Sequence, residues 1–318
     1  MIDRQRSSGL IDIRAVDILA VGFILFVSVA LFIVPGHIPS WRGLILNNVL
    51  AISIFFGALW LTTRWNHFSL QWLLRTAAVL LLTSFIFNEM GKIIHIFFTG
   101  WFDNLVMKWE LAVFGVHPTV WLQQFTVPAV TELFMFAYVI YVPMMPYVAW
   151  LSNRKGGEKE LESYLTTVVL TSLVCYVGFV LFPVACPVRM IGDLHTVPLD
   201  GYFFTWITEL MRENVHFPGG CLPSPHVAVS TVMLLTMRKH SRLIFWVFLP
   251  LVIMIYISTV YGRFHYLSDG IAGLLVGFFA VWAGPRVNSW WDKVTLVVQV
   301  KEHSLESVEL EEIYGERP

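Results

Sequence analysis

Apolar residues recur in runs about as long as a bilayer crossing, for which a helix needs roughly 20 mostly apolar positions. The runs cover 17–34, 47–63, 72–98, 128–151, 163–183, 224–238, 243–261 and 265–284, eight in all. The 224–238 run is the shortest; without it, two histidine-bearing segments that flank it would face opposite sides of the membrane. The pattern predicts an all-α fold, a polytopic membrane helix bundle of about eight transmembrane helices.

The polar positions between the runs set an orientation. Arg4, Arg6 and Arg14 precede the first run, Arg64 and Arg75 flank the second connection, and Arg154, Lys155 and Lys159 fill 152–162. Arg238, Lys239 and Arg242 crowd the turn at 239–242, and Arg286, Lys293 and Lys301 follow the last run. Lys and Arg of short loops prefer the cytoplasm, so eight crossings with an internal amino terminus place every cluster, and both termini, on the cytoplasmic side. The opposite face then holds 35–46, 99–127, 184–223 and 262–264. Within it, Leu105 to Phe114 and Tyr202 to Met211 are amphipathic and lie among Trp101, Trp109, Trp121 and Trp206, as expected of helices in the interface. The first run begins after Arg14 and Asp17 and lacks a following small-residue cleavage pattern, so it reads as a retained span. The 286–318 tail turns polar and acidic, with Glu302, Glu306, Glu309, Glu311 and Glu312, and reads as a short cytoplasmic appendage.

Composition agrees: 57% of the 318 residues are hydrophobic, 14% are charged, and mean hydropathy is +0.68. Lipid is therefore the solvent for most of the chain. The net charge of −1 and the lack of long charged runs exclude a nucleic-acid partner and leave the bilayer and a lipid as the expected ones. Cys175, Cys186 and Cys221 show no CxxC spacing, so no thiol-held metal is expected. No internal repeat of the transporter type is visible.

Ionisable residues at membrane depth are costly and point to function; here they gather in three segments that leave or enter helices on the extracytoplasmic side. In Phe182-Pro183-Val184-Ala185-Cys186-Pro187-Val188-Arg189 two prolines stiffen the exit of a helix, and Arg189 suits a phosphate or, equally, lipid headgroups. In Gly219-Gly220-Cys221-Leu222-Pro223-Ser224-Pro225-His226, Ser224 is a natural N-cap and Pro225 fits the first turn. Helix-start N–H groups there favour an anion, and His226 is placed to protonate a leaving oxygen. Alone, this is also an ordinary cap with a surface histidine. In Gly262-Arg263-Phe264-His265-Tyr266-Leu267-Ser268-Asp269-Gly270-Ile271-Ala272-Gly273, His265 and Asp269 share a helix face. A carboxylate on one ring nitrogen leaves the other as nucleophile or base, Arg263 is near enough to reach the same anion, and Gly270 and Gly273 permit close packing beneath. Together the segments supply a cationic clamp, an anion-binding helix start, a proton donor and an oriented nucleophile, which suits phosphoryl transfer without a metal or other cofactor.

The order Arg189, then Pro-Ser-Pro-His226, then His265-Tyr-Leu-Ser-Asp269 resembles the type 2 phosphatidic acid phosphatase superfamily. Phe102-Asp103 through Phe114-Gly115-Val116-His117-Pro118 to Trp121, then Thr131-Glu132 and Tyr138 to Pro143, are similar to the branch that includes fungal inositol phosphorylceramide synthase. The resemblance implies a six-helix catalytic core over 72–285, preceded by a segment of two spans over 1–71. It further implies a phosphohistidine on His265 oriented by Asp269, His226 as acid, and phosphate held by Arg189 and Ser224. Three departures stand out: no Lys at the usual place upstream of Arg189, Pro225 for the usual Gly, and Thr259 where an Arg is typical, a loss for which Arg263 is a candidate replacement. The implied substrates are lipid phosphoesters, with ceramide, another phospholipid or isoprenyl phosphate in view, and the implied activity is headgroup transfer or, alternatively, phosphate hydrolysis. A non-catalytic binding protein or transporter is the rival class, although its charges would sit near the midplane.

Two weaker signals remain. Asn88, Glu89, Lys92 and His95 form a polar stripe suited to a headgroup or to an internal ion pair. Cys186 and Cys221 are compatible both with a disulfide in an oxidising compartment and with two free thiols.

Overall fold

The computed structural model describes residues 12–34, 38, 40–64, 68–214 and 217–314, the side chains at 68, 69, 214 and 297–314 excepted. Arg4, Arg6 and the side chains of Lys301 and the tail glutamates lie outside the described residues. The elements are α1 (Ala15–Ile33), α2 (Trp41–Arg64), α3 (Phe68–Ile93), α4 (Asp103–Phe114), α5 (Pro118–Leu122), α6 (Pro128–Leu181), α7 (Pro187–Met190), α8 (Phe203–Asn214), α9 (Pro225–His240), α10 (Arg242–Tyr261) and α11 (Leu267–Tyr314), with no strand among the described residues.

Six helices among the described residues are long and apolar enough to cross a membrane: α1, α2, α3 from Leu70, α6, α10, and α11 as far as Leu296. The chain is an all-α integral membrane protein. Seven of the eight expected spans lie in these six helices, and the eighth is α9. The 54-residue α6 contains the run 128–151 and all but the last two residues of 163–183, and what was expected as a loop over 152–162 is helical except at Gly157, whose φ of 69° breaks the helix. The Tyr164 hydroxyl reaches the Met145 carbonyl at 3.1 Å, whereas a straight helix would hold residues 19 apart about 28 Å from each other. The two arms therefore double back at Gly157. α9, carrying the 224–238 run, has 16 residues and is buried among other helices. Val227 to Leu234 and Met237 are all buried, and a helix apolar on every side belongs in an interior. The last helix runs on past 284 through Pro285 to Tyr314, so the tail continues it.

α6, α9 and α11 form the centre of the bundle. A Cβ at Gly273 would lie 2.6 Å from the Ser224 carbonyl oxygen and one at Gly277 2.7 Å from that of Ala228, so α11 touches the α9 backbone along these two positions. Gly270, expected to share this role, has only an ordinary contact at 3.8 Å.

At the Gly157 end, Arg75 of α3 is buried between Asp17 of α1, at 2.7 and 3.0 Å, and Glu162 of α6, at 2.9 Å twice. Arg14 reaches Glu158 at 2.7 Å and Lys239 reaches Glu160 at 2.6 Å. This network ties the amino-terminal helix to the rest. Removing one member of a buried ion cluster strands its partners, so Arg75→Ala is expected to destabilise the protein by about 3–5 kcal/mol, read as a fall in thermal unfolding temperature in detergent.

Candidate active site

The opposite end of the bundle gathers the three chemistry-bearing segments. α10 ends at Tyr261, and the chain turns through Arg263, a non-glycine residue at φ 62°. The amides of Phe264 and His265 both donate to the Thr259 carbonyl at 3.0 Å. Thr259, at the position of an expected Arg, thus anchors the turn through its backbone. His265 is 4% exposed, and its Nδ1 lies 2.9 Å from the Cys221 carbonyl oxygen and 3.6 Å from Asp269 Oδ2. A carbonyl only accepts, so Nδ1 carries the hydrogen and Nε2 presents its lone pair. The residue expected to orient His265 was Asp269; the nearer partner is the Cys221 carbonyl, with the Asp269 charge behind it. Asp269 is fully buried, and its Oδ2 accepts from the Tyr266 amide at 2.9 Å.

The glycine–proline segment brings His226 to the same place. Ser224 donates its amide to the Asp269 carbonyl at 3.0 Å, and its hydroxyl, fully buried, accepts from the Val227 amide at 3.5 Å, the expected N-cap. Pro225 opens α9 and His226 follows in its first turn. The His226 ring stacks on Tyr138 with centroids 4.5 Å apart, Tyr138 stacks in turn on Phe264 at 4.5 Å, and Tyr141 flanks His226 at 4.6 Å. This aromatic column fixes the plane of His226, whose centroid is 5.8 Å from that of His265.

Cys186 and Cys221 form a disulfide with Cα atoms 5.9 Å apart, which decides between the two readings of the sequence. The Val188 amide donates to the Arg263 carbonyl at 3.2 Å, holding α7 against the His265 turn. Arg189, on α7, is exposed, and among the described residues its guanidinium has no hydrogen-bond or ion-pair partner. Arg263 is nearly buried and donates to the Val197 carbonyl. Beside it, burial and then the Arg263 charge push His195 down to about 4, so this imidazole is neutral. The Asn88 stripe is occupied internally: Lys92 pairs with Glu89 at 2.5 Å, Asn88 donates to the Ser84 carbonyl, and His95 Nδ1 meets the Phe98 carbonyl at 2.8 Å.

Because Cys221 supplies the acceptor for His265 while Cys186 starts the segment bearing Arg189, the disulfide aligns both sides of the site. Reduction, or Cys186→Ser, is expected to lower turnover about 10- to 100-fold through misplacement, measured by steady-state kinetics in detergent; Cys175→Ser, in the core, should leave the rate unchanged.

The sequence reading missed a second layer. Asp103 of α4 accepts from the Ala185 amide at 2.7 Å and the Tyr266 hydroxyl at 2.9 Å, and Glu110 accepts from the Ser268 amide at 3.1 Å. Both acids are buried, while Leu105, Trp109 and Val113 on the same helix are exposed. α4 thus turns its carboxylates inward and its apolar face outward. The signal was the seven-residue spacing of Asp103 and Glu110, two helical turns on one face. Burial raises the pKa of both, and the nearby Asp269 charge adds to the rise. Cys221 Sγ, His265 and Asp269 bring ligand-type atoms within 4.8 Å of one another, but the sulfur is committed to the disulfide and two donors remain.

Residues 104–283, more than half of the chain, match the model of the PAP2 superfamily. A PA-phosphatase related-family protein of Dictyostelium discoideum is 27% identical over 131 residues, 40% of this chain, and the match spans about a quarter of that protein's length (24%). No solved structure gives a significant match.

Proposed function

This chain belongs to the PAP2 superfamily, and from that premise we propose that it is an integral-membrane enzyme moving a phospho-headgroup or phosphoryl unit from a lipid phosphoester to an acceptor hydroxyl through a phosphohistidine on His265. The observation that carries the reading is the pairing of a buried His265, its Nδ1 fixed at 2.9 Å by a carbonyl, with a second, stacked imidazole whose centroid is 5.8 Å away. A phosphoryl group can bridge that gap. His265 Nε2 attacks phosphorus, the N–P bond forms as the P–O bond to the leaving group breaks, and protonated His226 gives its proton to the departing oxygen. In the second half, neutral His226 takes the proton of the acceptor hydroxyl, whose oxygen attacks phosphorus and releases His265. Asp269 stabilises the charge that develops on the His265 ring. Arg189, exposed and without a partner among the described residues, is suited to gripping phosphate oxygens, with Arg263 and the α9 start around Ser224 as further positive potential.

The acceptor separates two activities. The motif resemblance to inositol phosphorylceramide synthase favours a lipid hydroxyl; the name of the Dictyostelium relative favours water. The test is to incubate detergent-purified protein and His265→Ala with labelled phosphatidic acid, isoprenyl pyrophosphate, and phosphatidylinositol with and without ceramide. A new phospholipid formed only when ceramide is present supports transfer, and free phosphate supports hydrolysis. Equal turnover in wild type and His265→Ala contradicts both.

A further inference from the structure

Three carboxyl groups converge on the 265–269 turn that carries the proposed nucleophile: Asp103 and Glu110 from α4, and Asp269 itself. All are at most 1% exposed. The other titratable groups facing the turn are His265 and Tyr266 within it and His226 from α9; Lys108, on the same helix as Glu110, is exposed. Like charges buried this closely do not all ionise, so at least one group carries a proton, and the groups facing each carboxyl point to which one.

Asp103 has a donor on each oxygen, Ala185 N at 2.7 Å and Tyr266 Oη at 2.9 Å, and a carboxylate with both oxygens satisfied favours its charge. Asp269 accepts from Tyr266 N through Oδ2 and leaves its buried Oδ1 without a hydrogen-bond partner among the described residues, but Oδ2 also faces His265 Nδ1 at 3.6 Å and the residue sits in the first turn of α11, where the helix dipole favours an anion. Glu110 differs. Its Oε1 accepts from Ser268 N at 3.1 Å and Ser268 Oγ at 3.3 Å, whereas its Oε2 is buried with no hydrogen-bond partner. An ionised oxygen there would be desolvated with nothing in return. Protonation at Oε2 removes that charge while Oε1 keeps its hold on Ser268.

We propose that Glu110 is a positioning residue of the transfer site, holding the 266–268 turn through a carboxyl group that stays protonated at neutral pH and so leaves Asp269 ionised behind His265. The positioning role rests on the phosphohistidine reading; the protonation state does not. Glu110 touches neither of the two histidines by any hydrogen bond and acts through Ser268 and the start of α11.

The test uses the full chain in detergent with three variants: Glu110→Gln, the neutral isostere; Glu110→Ala, which removes the hold; and His265→Ala. The infrared spectrum at neutral pH should contain a protonated-carboxyl C=O band that disappears in Glu110→Gln. Turnover of Glu110→Gln should stay within about twofold of wild type, with a superimposable pH profile, because no charge has changed. Glu110→Ala should lose about tenfold or more in kcat with little change in KM, as expected for misplacement of the reacting group. The absence of the band, or a shifted acidic limb in Glu110→Gln, overturns the proposal, since either means that Glu110 carries charge. So does full kcat in Glu110→Ala. If Glu110→Ala does not fold, the Gln variant decides alone. Undiminished turnover in His265→Ala would overturn the transfer reading and the positioning role with it, while the infrared result would still decide where the proton sits.

Discussion

Replacing His265 with alanine is expected to lower turnover by at least about 10³-fold, because losing a covalent nucleophile removes the whole two-step route. The fold should survive. His265 is a buried side chain whose Nδ1 donates to the Cys221 carbonyl at 2.9 Å; its loss leaves one carbonyl oxygen unsatisfied, a cost of about 1–3 kcal/mol. Unfolding temperature measured beside turnover separates the two effects. Asp269→Asn should follow in the same direction with a smaller loss, because the carbonyl continues to orient the ring after the charge behind it is gone.

The second large effect belongs to His226. His226→Ala should cost about 10²–10⁴-fold on a lipid substrate, the usual contribution of a positioned acid or base. The informative comparison is with an aryl phosphate whose leaving group departs without a proton. That substrate should recover most of the lost rate in the first half-reaction, because bond cleavage no longer depends on the donor. An equal loss on both substrates would assign His226 to phosphate binding. Tyr138→Ala is a useful companion, since it removes the face on which His226 stacks, at 4.5 Å, and leaves the imidazole in place.

How much of this was legible in the sequence depends on the range over which each residue acts. The helices were readable as apolar runs because lipid demands them, and the Ser224 cap and the proximity of His265 to Asp269 were readable because they are local. The reversal at Gly157 was placed correctly in sequence but given the wrong form: a single left-handed glycine lets two helices join with almost no loop. The burial of α9 was not readable, since a helix apolar on all sides looks the same whether its surroundings are lipid or protein. The Cys221 carbonyl was invisible because a main-chain acceptor leaves no mark on residue identity, and it comes within 2.9 Å of His265 across 44 positions. Asp103 and Glu110 carried a readable spacing, but their apolar neighbours Leu105, Trp109 and Val113 drew attention to the membrane-facing side of α4. Which lipid enters the site is set by surfaces whose recognition chemistry no local motif encodes.

The central claim is a phosphorus–nitrogen bond on His265, and the most direct measurement is to trap it. Purified full-length protein would be mixed briefly with phosphatidic acid or phosphatidylinositol labelled at phosphorus, quenched in alkali and digested. The account predicts label on the protein that is stable in alkali, lost in acid, located on the peptide containing His265 and absent from His265→Ala. Lipid turnover that proceeds without such label, or label that persists in His265→Ala, would contradict it.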